Sequence, residues 1–367
     1  MKFEKNSFNN LEKEKKEWLE DIWLYYKGET HSHSLHSNRL EEDGSKEKMV
    51  HSSRRLLSYA EKLGLEFVFF SEHSSDPDSP KKLSENHPIC QSLLKQKQEV
   101  DEINESEKYK TQAFQAVEVN IMFDENGEAV VDVPDSILSQ IDLVIASRHK
   151  IDDKLEPEKI KDSLFSAINN PNIHVIGHPY RHIEFYQNDW NYFKKYYQND
   201  EVIGSVLKKL EENQDWDKIK QIIGKIEAKD PKMKEYNLLF NELKKRYWDS
   251  WEEVLKKMEE KGKCFEINLS SFNPVKEYYI SLLKKASKYK DLKYSITFDF
   301  HHLGQLENYK NKDFFSTTPE EIKNPSRAKG VQRILELIKL LKSLNIDPEK
   351  IINSSNDNIK KFISSFN

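Results

Sequence analysis

A parallel α/β barrel is the fold class this sequence predicts, and three observations predict it. Short apolar runs of the kind buried strands make recur along the 367 residues, separated by amphipathic helical stretches. Almost every run ends in a histidine or a carboxylate, which places candidate ligands at C-terminal strand ends, the face where such barrels build their sites. The chain also exceeds the roughly 200–250 residues of a single barrel, so the excess is expected to be an insertion.

Residues 10–25 come first, with Leu11, Trp18, Ile22 and Tyr25 at helical spacing, as expected of an N-terminal helix packed on the barrel. Tyr26-Lys27-Gly28-Glu29-Thr30-His31-Ser32-His33 follows. In an extended strand residues i and i+2 share a face, so His31 and His33 can both turn imidazole nitrogens to one ion. After a helical stretch at 46–63, the apolar run 66–70 passes directly into Ser71-Glu72-His73. A helix is expected at 89–104 and a strand at 113–119 carrying Glu118. The run 141–147 leads into Arg148-His149-Lys150. A helix at 156–169 has Pro157 in its first turn, where the missing N–H costs nothing. Residues 173–177 then deliver His178-Pro179.

Residues 183–247 break the alternation. This stretch is charged and aromatic, with Phe185, Tyr186, Trp190, Tyr192, Phe193, Tyr196 and Tyr197 ahead of helical segments near 201–212, 215–228 and 231–246. Its aromatics either form the core of a small helical subdomain or stack on a substrate, with Lys194, Lys195, Lys208 and Lys209 near phosphate. The alternation resumes with a helix at 248–261, a strand at 264–268 bearing Glu266 and Asn268, a helix at 275–288 and a strand at 294–298 ending in Asp299-Phe300-His301-His302. A helix at 330–343 follows. The expected organisation is thus an N-terminal extension at 1–25, a barrel in two parts at 26–182 and 248–367, and a helical insertion at 183–247.

Composition narrows the function. Charged residues make up 33% of the chain but the net charge is only −5, so there is no global basic field of the sort that marks nonspecific nucleic-acid binders. No apolar stretch is long enough to span a bilayer and no signal-peptide core opens the chain. With two cysteines, Cys90 and Cys264, at most one disulfide is available, and a reducing cytoplasm is the expected compartment. Imidazole and carboxylate without a thiolate cluster suit Zn²⁺, Mn²⁺ or Fe²⁺ and disfavour an all-oxygen Mg²⁺ site. A bridging carboxylate such as Glu118 can hold two ions, between which a metal-bound hydroxide attacks phosphorus.

Five motifs in order carry a family resemblance: His31-x-His33; Asp43-Gly44 followed by a helix and a strand into Glu72-His73; Glu118; His149 and His178; and Asp299-x-His301. In these the chain resembles the PHP (polymerase and histidinol phosphatase) superfamily of metal-dependent phosphoesterases. Gly330 to Phe366 resembles the family's closing segment. The resemblance implies a distorted, seven-stranded TIM-like barrel, (β/α)7, interrupted here by the helical insertion, and a cluster of two or three divalent ions.

It further implies the metal ligands His31, His33, Asp43, His73, Glu118, His149, His178, Asp299 and His301. His31, His33, Glu118 and Asp299 would serve one ion, and Asp43 or His36 with His73 and Glu118 a second. His149, His178 and His301 would complete the cluster. Both His36 and Asp43 are available as the ligand after His-x-His, and Asp43 matches the pattern better. His31, His33, Glu118, Asp299 and His301 form the expected catalytic set. Two departures stand out: the second motif reads Glu72-His73 where Asp-His is usual, and Arg148 and Lys150 flank His149.

Arg148, Arg181 and His302 are candidates for a substrate phosphate, Arg181 through its planar fork or else as an ordinary loop salt bridge. His51, His87 and His174 are expected to be structural or exposed. The activity expected is hydrolysis of a phosphate ester, foremost a small phosphomonoester, so the partner is a phosphorylated small molecule or nucleotide. A nuclease or phosphodiesterase acting on nucleic-acid ends and a noncatalytic interaction protein are the alternatives. The second of these leaves buried histidines and carboxylates without a cation, which is costly.

Overall fold

The computed structural model describes residues 17, 19–34, 37, 52–75, 80–149, 157–181, 183, 221, 225, 231–299 and 329–366. Asp43, His36, His51, His301, His302 and most of the insertion lie outside them. The chain divides into two compact units, one of Met1–Ile151, Asp162–Pro179 and Val254–Asn367, the other of Asp152–Lys161 and Tyr180–Glu253. Among the described residues no helix is long and apolar enough to cross a membrane.

The first unit holds the barrel sheet. Its strands are β1 (Gly28–Ser32), β2 (Phe67–His73), β3 (Gln112–Phe123), β4 (Ala129–Val131), β5 (Leu143–Ser147), β6 (Val175–Gly177), β7 (Cys264–Asn268) and β8 (Lys293–Thr297). Seven of these run in the order β1-β2-β3-β5-β6-β7-β8, every adjacent pair parallel, and β4 folds back antiparallel on the end of β3. Parallel neighbours need crossover connections, and helices supply them: α1 (Ser53–Lys62), α2 (Pro88–Glu105), α3 (Asp135–Leu138), α4 (Pro157–Asn169), α5 (Pro231–Glu260) and α6 (Glu277–Ala286). The chain then forms α7 (Lys329–Ser343) and α8 (Asn356–Ser364). Ser52 and Ser355 cap α1 and α8, and His87 caps α2 by accepting from the Ile89 N–H at 3.3 Å.

Alternate residues explain what fills the barrel. Along β2 the series Phe67, Phe69, Ser71, His73 runs from apolar to ligand, and Ala116, Glu118, Asn120 on β3 and Cys264, Glu266, Asn268 on β7 repeat that polarity. Phe67, Phe69, Ala116, Leu143, Ile145, Val175 and Cys264 pack into one apolar layer with Ile352, Ile359 and Phe362 from the closing segment. The amphipathic α8 therefore floors the barrel while the opposite, C-terminal ends stay polar. Beside this floor, Lys263 donates to the carbonyl of Asn170 at 2.9 Å and stands over the Phe366 ring.

No ladder joins β1 to β8 among the described residues. One asparagine spans the gap. The Asn353 amide donates to the carbonyls of Gly28 at 2.7 Å and Ile296 at 2.6 Å, and its oxygen accepts from the Ile296 N–H at 3.0 Å. The Asn353 carbonyl also accepts from the N–H groups of Lys27 and Gly28.

Two local readings differ from the sequence expectation. Separate helices at 231–246 and 248–261 are one 30-residue helix, because no glycine or proline interrupts it and Tyr247, Trp251, Val254, Leu255 and Met258 continue one buried stripe. The expected strand at 113–119 extends to Phe123 and turns at Asp124–Gly127 into β4, where Gly127 supplies a φ of 80°.

His174, at the start of β6, gives an acid-sensitivity that can be measured. Burial lowers its pKa to about 4, and its Nδ1 accepts the Val144 N–H at 2.9 Å, a bond that protonation destroys. A histidine whose folded pKa is depressed stabilises the fold above its unfolded value and loses that contribution as pH falls. Between pH 6.5 and about 4 the loss is about 3 kcal/mol. His174→Asn keeps an acceptor without titrating, so urea midpoints measured across this range should fall less steeply for the variant than for the wild type.

Candidate metal centre

Five histidines converge on one carboxylate. The β2–β3 register sets His73 opposite Glu118. Oε2 of Glu118 lies 2.9 Å from His73 Nδ1, 3.3 Å from His31 Nε2 and 3.7 Å from His33 Nε2. Its Oε1 lies 3.0 Å from His149 Nε2 and 3.1 Å from His178 Nε2. Glu118 is buried, with a relative exposure of 1%. Two groups of these side chains bring one donor atom each within 4.8 Å of the others, close enough that they could hold a metal ion: His31 with His33 and Glu118, and His73 with Glu118 and His149. Glu118 belongs to both, which is the geometry of a bridging ligand.

Asp299 completes the β1 side. Its Oδ1 is 3.2 Å from His33 Nε2 and 3.7 Å from His31 Nε2, while Oδ2 accepts from the Asn268 amide at 3.0 Å. Asp299 and His178 hold positive φ angles of 54° and 25°, a region that residues other than glycine rarely enter. His178 follows directly on β6 and Asp299 lies two residues past the end of β8, and such strain persists where the surroundings over-determine it. At His178 the restraint is Glu266, whose Oε2 accepts the His178 N–H at 2.6 Å. The preceding Gly177 must be a glycine, since a Cβ there would stand 2.1 Å from Ser147 Oγ on the neighbouring strand.

Buried carboxylates behind the cluster fix the rings. Glu266 Oε1 meets His31 Nδ1 at 2.6 Å and accepts from Thr297 Oγ1 at 3.1 Å, so the other ring nitrogen of His31 faces the cluster. Glu29 accepts from the His31 and Phe298 N–H groups at 2.8 and 3.0 Å and from the Tyr26 hydroxyl at 2.8 Å. It thereby ties the end of β8 to β1. Burial opposes ionisation of Glu118, but the facing His149, His31 and His73 outweigh it and hold its pKa well below the usual carboxylate range. Burial lowers His31, yet Glu266, Glu118 and Asp299 raise it well above an ordinary imidazole. In His149 burial wins over Glu118, and the pKa falls to about 4.

The donor set fits divalent cations. With Nδ1 engaged by Glu266, the buried Nε2 of His31 makes no hydrogen bond of acceptable geometry and is directed at the Glu118 and Asp299 oxygens. A ring nitrogen set among carboxylate oxygens needs a positive charge between them, either the proton that the raised pKa of His31 supplies or a divalent ion in its place.

Of the residues expected from sequence, the structure brings together His31, His33, His73, Glu118, His149, His178 and Asp299. Glu72 does not join them: its carboxylate accepts from Ser34 N and Oγ, Ser37 Oγ and Gln96 Nε2, and so ties down the chain leaving β1. Arg148 is buried, with its guanidinium 5.2 Å from the centre of the Phe123 ring, and Arg181 is exposed. Glu29, Asn120 and Asp132 had drawn no attention in the sequence. The signal was the two-residue period: Glu29 precedes His31, and Asn120 follows Glu118, on the same strand face.

Seven parallel strands whose C-terminal ends gather these histidines and carboxylates make a parallel α/β barrel with a candidate metal centre at its mouth. No family model matches the chain. Over 163 residues it is 31% identical to a probable phosphatase of Caldicellulosiruptor saccharolyticus, covering 42% of this chain and 56% of that protein. Over 70 residues it is 44% identical to a probable phosphatase of Caldanaerobacter subterraneus subsp. tengcongensis, covering 18% of this chain and 26% of the relative. The chain thus spans between about a quarter and about half the length of these curated relatives. Among solved structures, histidinol phosphate phosphatase from Lactococcus lactis subsp. lactis, in complex with zinc, L-histidinol and phosphate, matches with a TM-score of 0.44 and 16% identity, over 87% of this chain and 94% of that one.

Proposed function

We propose that this protein is a divalent-metal-dependent phosphoesterase acting on a small phosphomonoester. The observation that carries the reading is Glu118, one carboxylate shared by two ligand groups at the polar mouth of a parallel barrel. The probable phosphatases that resemble parts of the chain support it. Asp43 and His301 would complete the ligand set, and zinc, manganese or ferrous ions suit its nitrogen and oxygen donors. Bound there, two or three such ions would supply an activated water and neutralise the phosphoryl oxygens.

The chain's own groups have definite tasks. Glu118 separates and charge-balances the two histidine groups. Glu266 orients the ring of His31 and, through the His178 N–H, the backbone that presents His178. Asp299 is 14% exposed and His73 12%, whereas the side chains of His31, His33 and Glu118 are essentially inaccessible, so a phosphate reaches the cluster on the Asp299 and His73 side. His302 and Arg181 are proposed to bind that phosphate. Arg148, buried against Phe123, is the weaker candidate for this role. Cys90 and Cys264 are both free and buried, which suits a cytoplasmic protein.

A panel of phosphomonoesters, phosphodiesters and labelled DNA and RNA, assayed with Mn²⁺ and with Zn²⁺, tests the proposal. Turnover of monoesters well above diesters is expected. Cleavage confined to oligonucleotides would replace this reading with the nuclease.

A further inference from the structure

We infer that Asp132, on the antiparallel arm that leaves the barrel, dictates through Asn120 which nitrogen of His149 is offered to the metal centre. Asn120 Oδ1 lies 2.7 Å from His149 Nδ1, and His149 Nε2 is the nitrogen turned to Glu118 at 3.0 Å. An asparagine amide can present either its oxygen or its NH₂ to a neighbour, and the two choices demand opposite tautomers of the imidazole. An oxygen requires a proton on Nδ1 and leaves Nε2 with its lone pair directed at the cluster. An NH₂ would require a bare Nδ1 and place the proton on Nε2, blocking coordination.

Groups behind Asn120 settle the choice. Its amide nitrogen lies 2.9 Å from Asp132 Oδ2, 3.0 Å from Ser75 Oγ and 3.3 Å from the Ser75 carbonyl. A carboxylate and a carbonyl only accept, so the NH₂ must face them and the oxygen must face His149. Asp132 is fully buried and surrounded by donors: Ser74 Oγ at 2.8 and 2.7 Å, Ser75 Oγ at 2.5 Å and the Asn120 backbone N–H at 3.0 Å. Every residue in the relay is buried, where hydrogen bonds are stronger than in water and an unpaired polar group is costly. The β3–β4 hairpin thereby gains a purpose, since it returns the chain so that Asp132 stands behind the ligand from β5. Asp132 and Asn120 are positioning residues, and the inference rests on the metal-centre reading above.

Asp132→Asn reverses the polarity with almost no change of shape. The Asn120 backbone N–H and Ser74 hydroxyl keep the oxygen of the new amide at the Oδ1 position, which sets its NH₂ against the NH₂ of Asn120. Turning the Asn120 amide over relieves that clash, at the loss of its long 3.3 Å bond to the Ser75 carbonyl, and presents NH₂ to His149 Nδ1. Zinc titration followed by calorimetry is expected to show affinity reduced about ten- to hundredfold in the variant, the usual range for lost support behind a ligand. Long-range ¹H–¹⁵N correlation spectra should show His149 Nδ1 protonated in the wild type, with and without zinc, and Nε2 protonated in zinc-free Asp132→Asn. Ser74→Ala removes one donor to the same carboxylate without reversing any polarity, and should leave the His149 tautomer as in the wild type.

A wild-type His149 without a proton on Nδ1 overturns the inference, and needs no variant to be observed. So does an Asp132→Asn protein that keeps both the wild-type tautomer and the wild-type zinc affinity. Failure of the wild type to bind any divalent ion, with Nδ1 of His149 still protonated, would instead overturn the proposed function and leave the relay standing.

Discussion

Glu118→Gln should abolish the proposed phosphatase activity and strip the protein of bound metal. The substitution keeps the shape of the side chain but removes the charge around which His31, His33, His73, His149 and His178 are gathered. It also turns one of the two bridging oxygens into an NH₂, which cannot coordinate a cation. A divalent ion contributes several kcal/mol of transition-state stabilisation, about 4 kcal/mol of which corresponds to roughly a thousandfold in rate. Turnover of a small chromogenic monoester and elemental analysis of the purified variant check this together. A variant that retained a tenth of wild-type turnover would remove Glu118 from the centre of the mechanism.

The second large effect concerns the metal itself. Protein stripped with a chelator and then given Zn²⁺ or Mn²⁺ should melt at a higher temperature, because the ions bind ligands that only the fold assembles. At a thousandfold excess over the dissociation constant each ion adds about 4 kcal/mol, which for a chain of this size is a rise of roughly 5–10 °C. Scanning calorimetry with and without metal measures it. An unchanged melting temperature, with no metal in the native preparation, would contradict the reading of the cluster as a metal centre.

Much of this architecture was legible in the sequence because two regularities are local. The alternation of apolar runs with amphipathic stretches gives parallel strands and outer helices. Within a strand the two-residue period tells which side chains look inward, so Phe67, Phe69, Ser71 and His73 already spell out a gradient from floor to mouth. That gradient puts His31, His73, Glu118, His149, His178 and Asp299 at one end of the strands, while the family resemblance, not the gradient, is what implies that they are ligands. What stayed hidden depends on partners far apart in the chain. Nothing near Glu266 announces that it meets His31, 235 residues earlier, and nothing near Glu72 announces that Ser34, Ser37 and Gln96 occupy its oxygens. Buried polar groups acquire their roles from whatever donor or acceptor the fold sets opposite them. The two helices expected at 231–246 and 248–261 are one for the opposite, local reason: neither glycine nor proline gives the backbone cause to stop at 247.

The asparagine clasp between β1 and β8 bears on how the molecule folds. Its bond from Asn353 to Gly28 links residues 325 apart, whereas neighbouring strands elsewhere in the barrel are separated by far shorter stretches of chain, except where the insertion intervenes. The entropy of closing a loop rises with its length, and contacts of such high sequence separation form late. The first six strands can therefore assemble in succession as an open, curling sheet, and β8 meets β1 only at the end. His31 and His33 lie on one side of that last junction and Asp299 on the other. The ligand set across it is thus incomplete in every intermediate with an open sheet, and full coordination becomes a property of the ring-closed state alone. Metal capture would then act as a latch on folding, slowing re-opening at the junction more than it speeds the earlier steps.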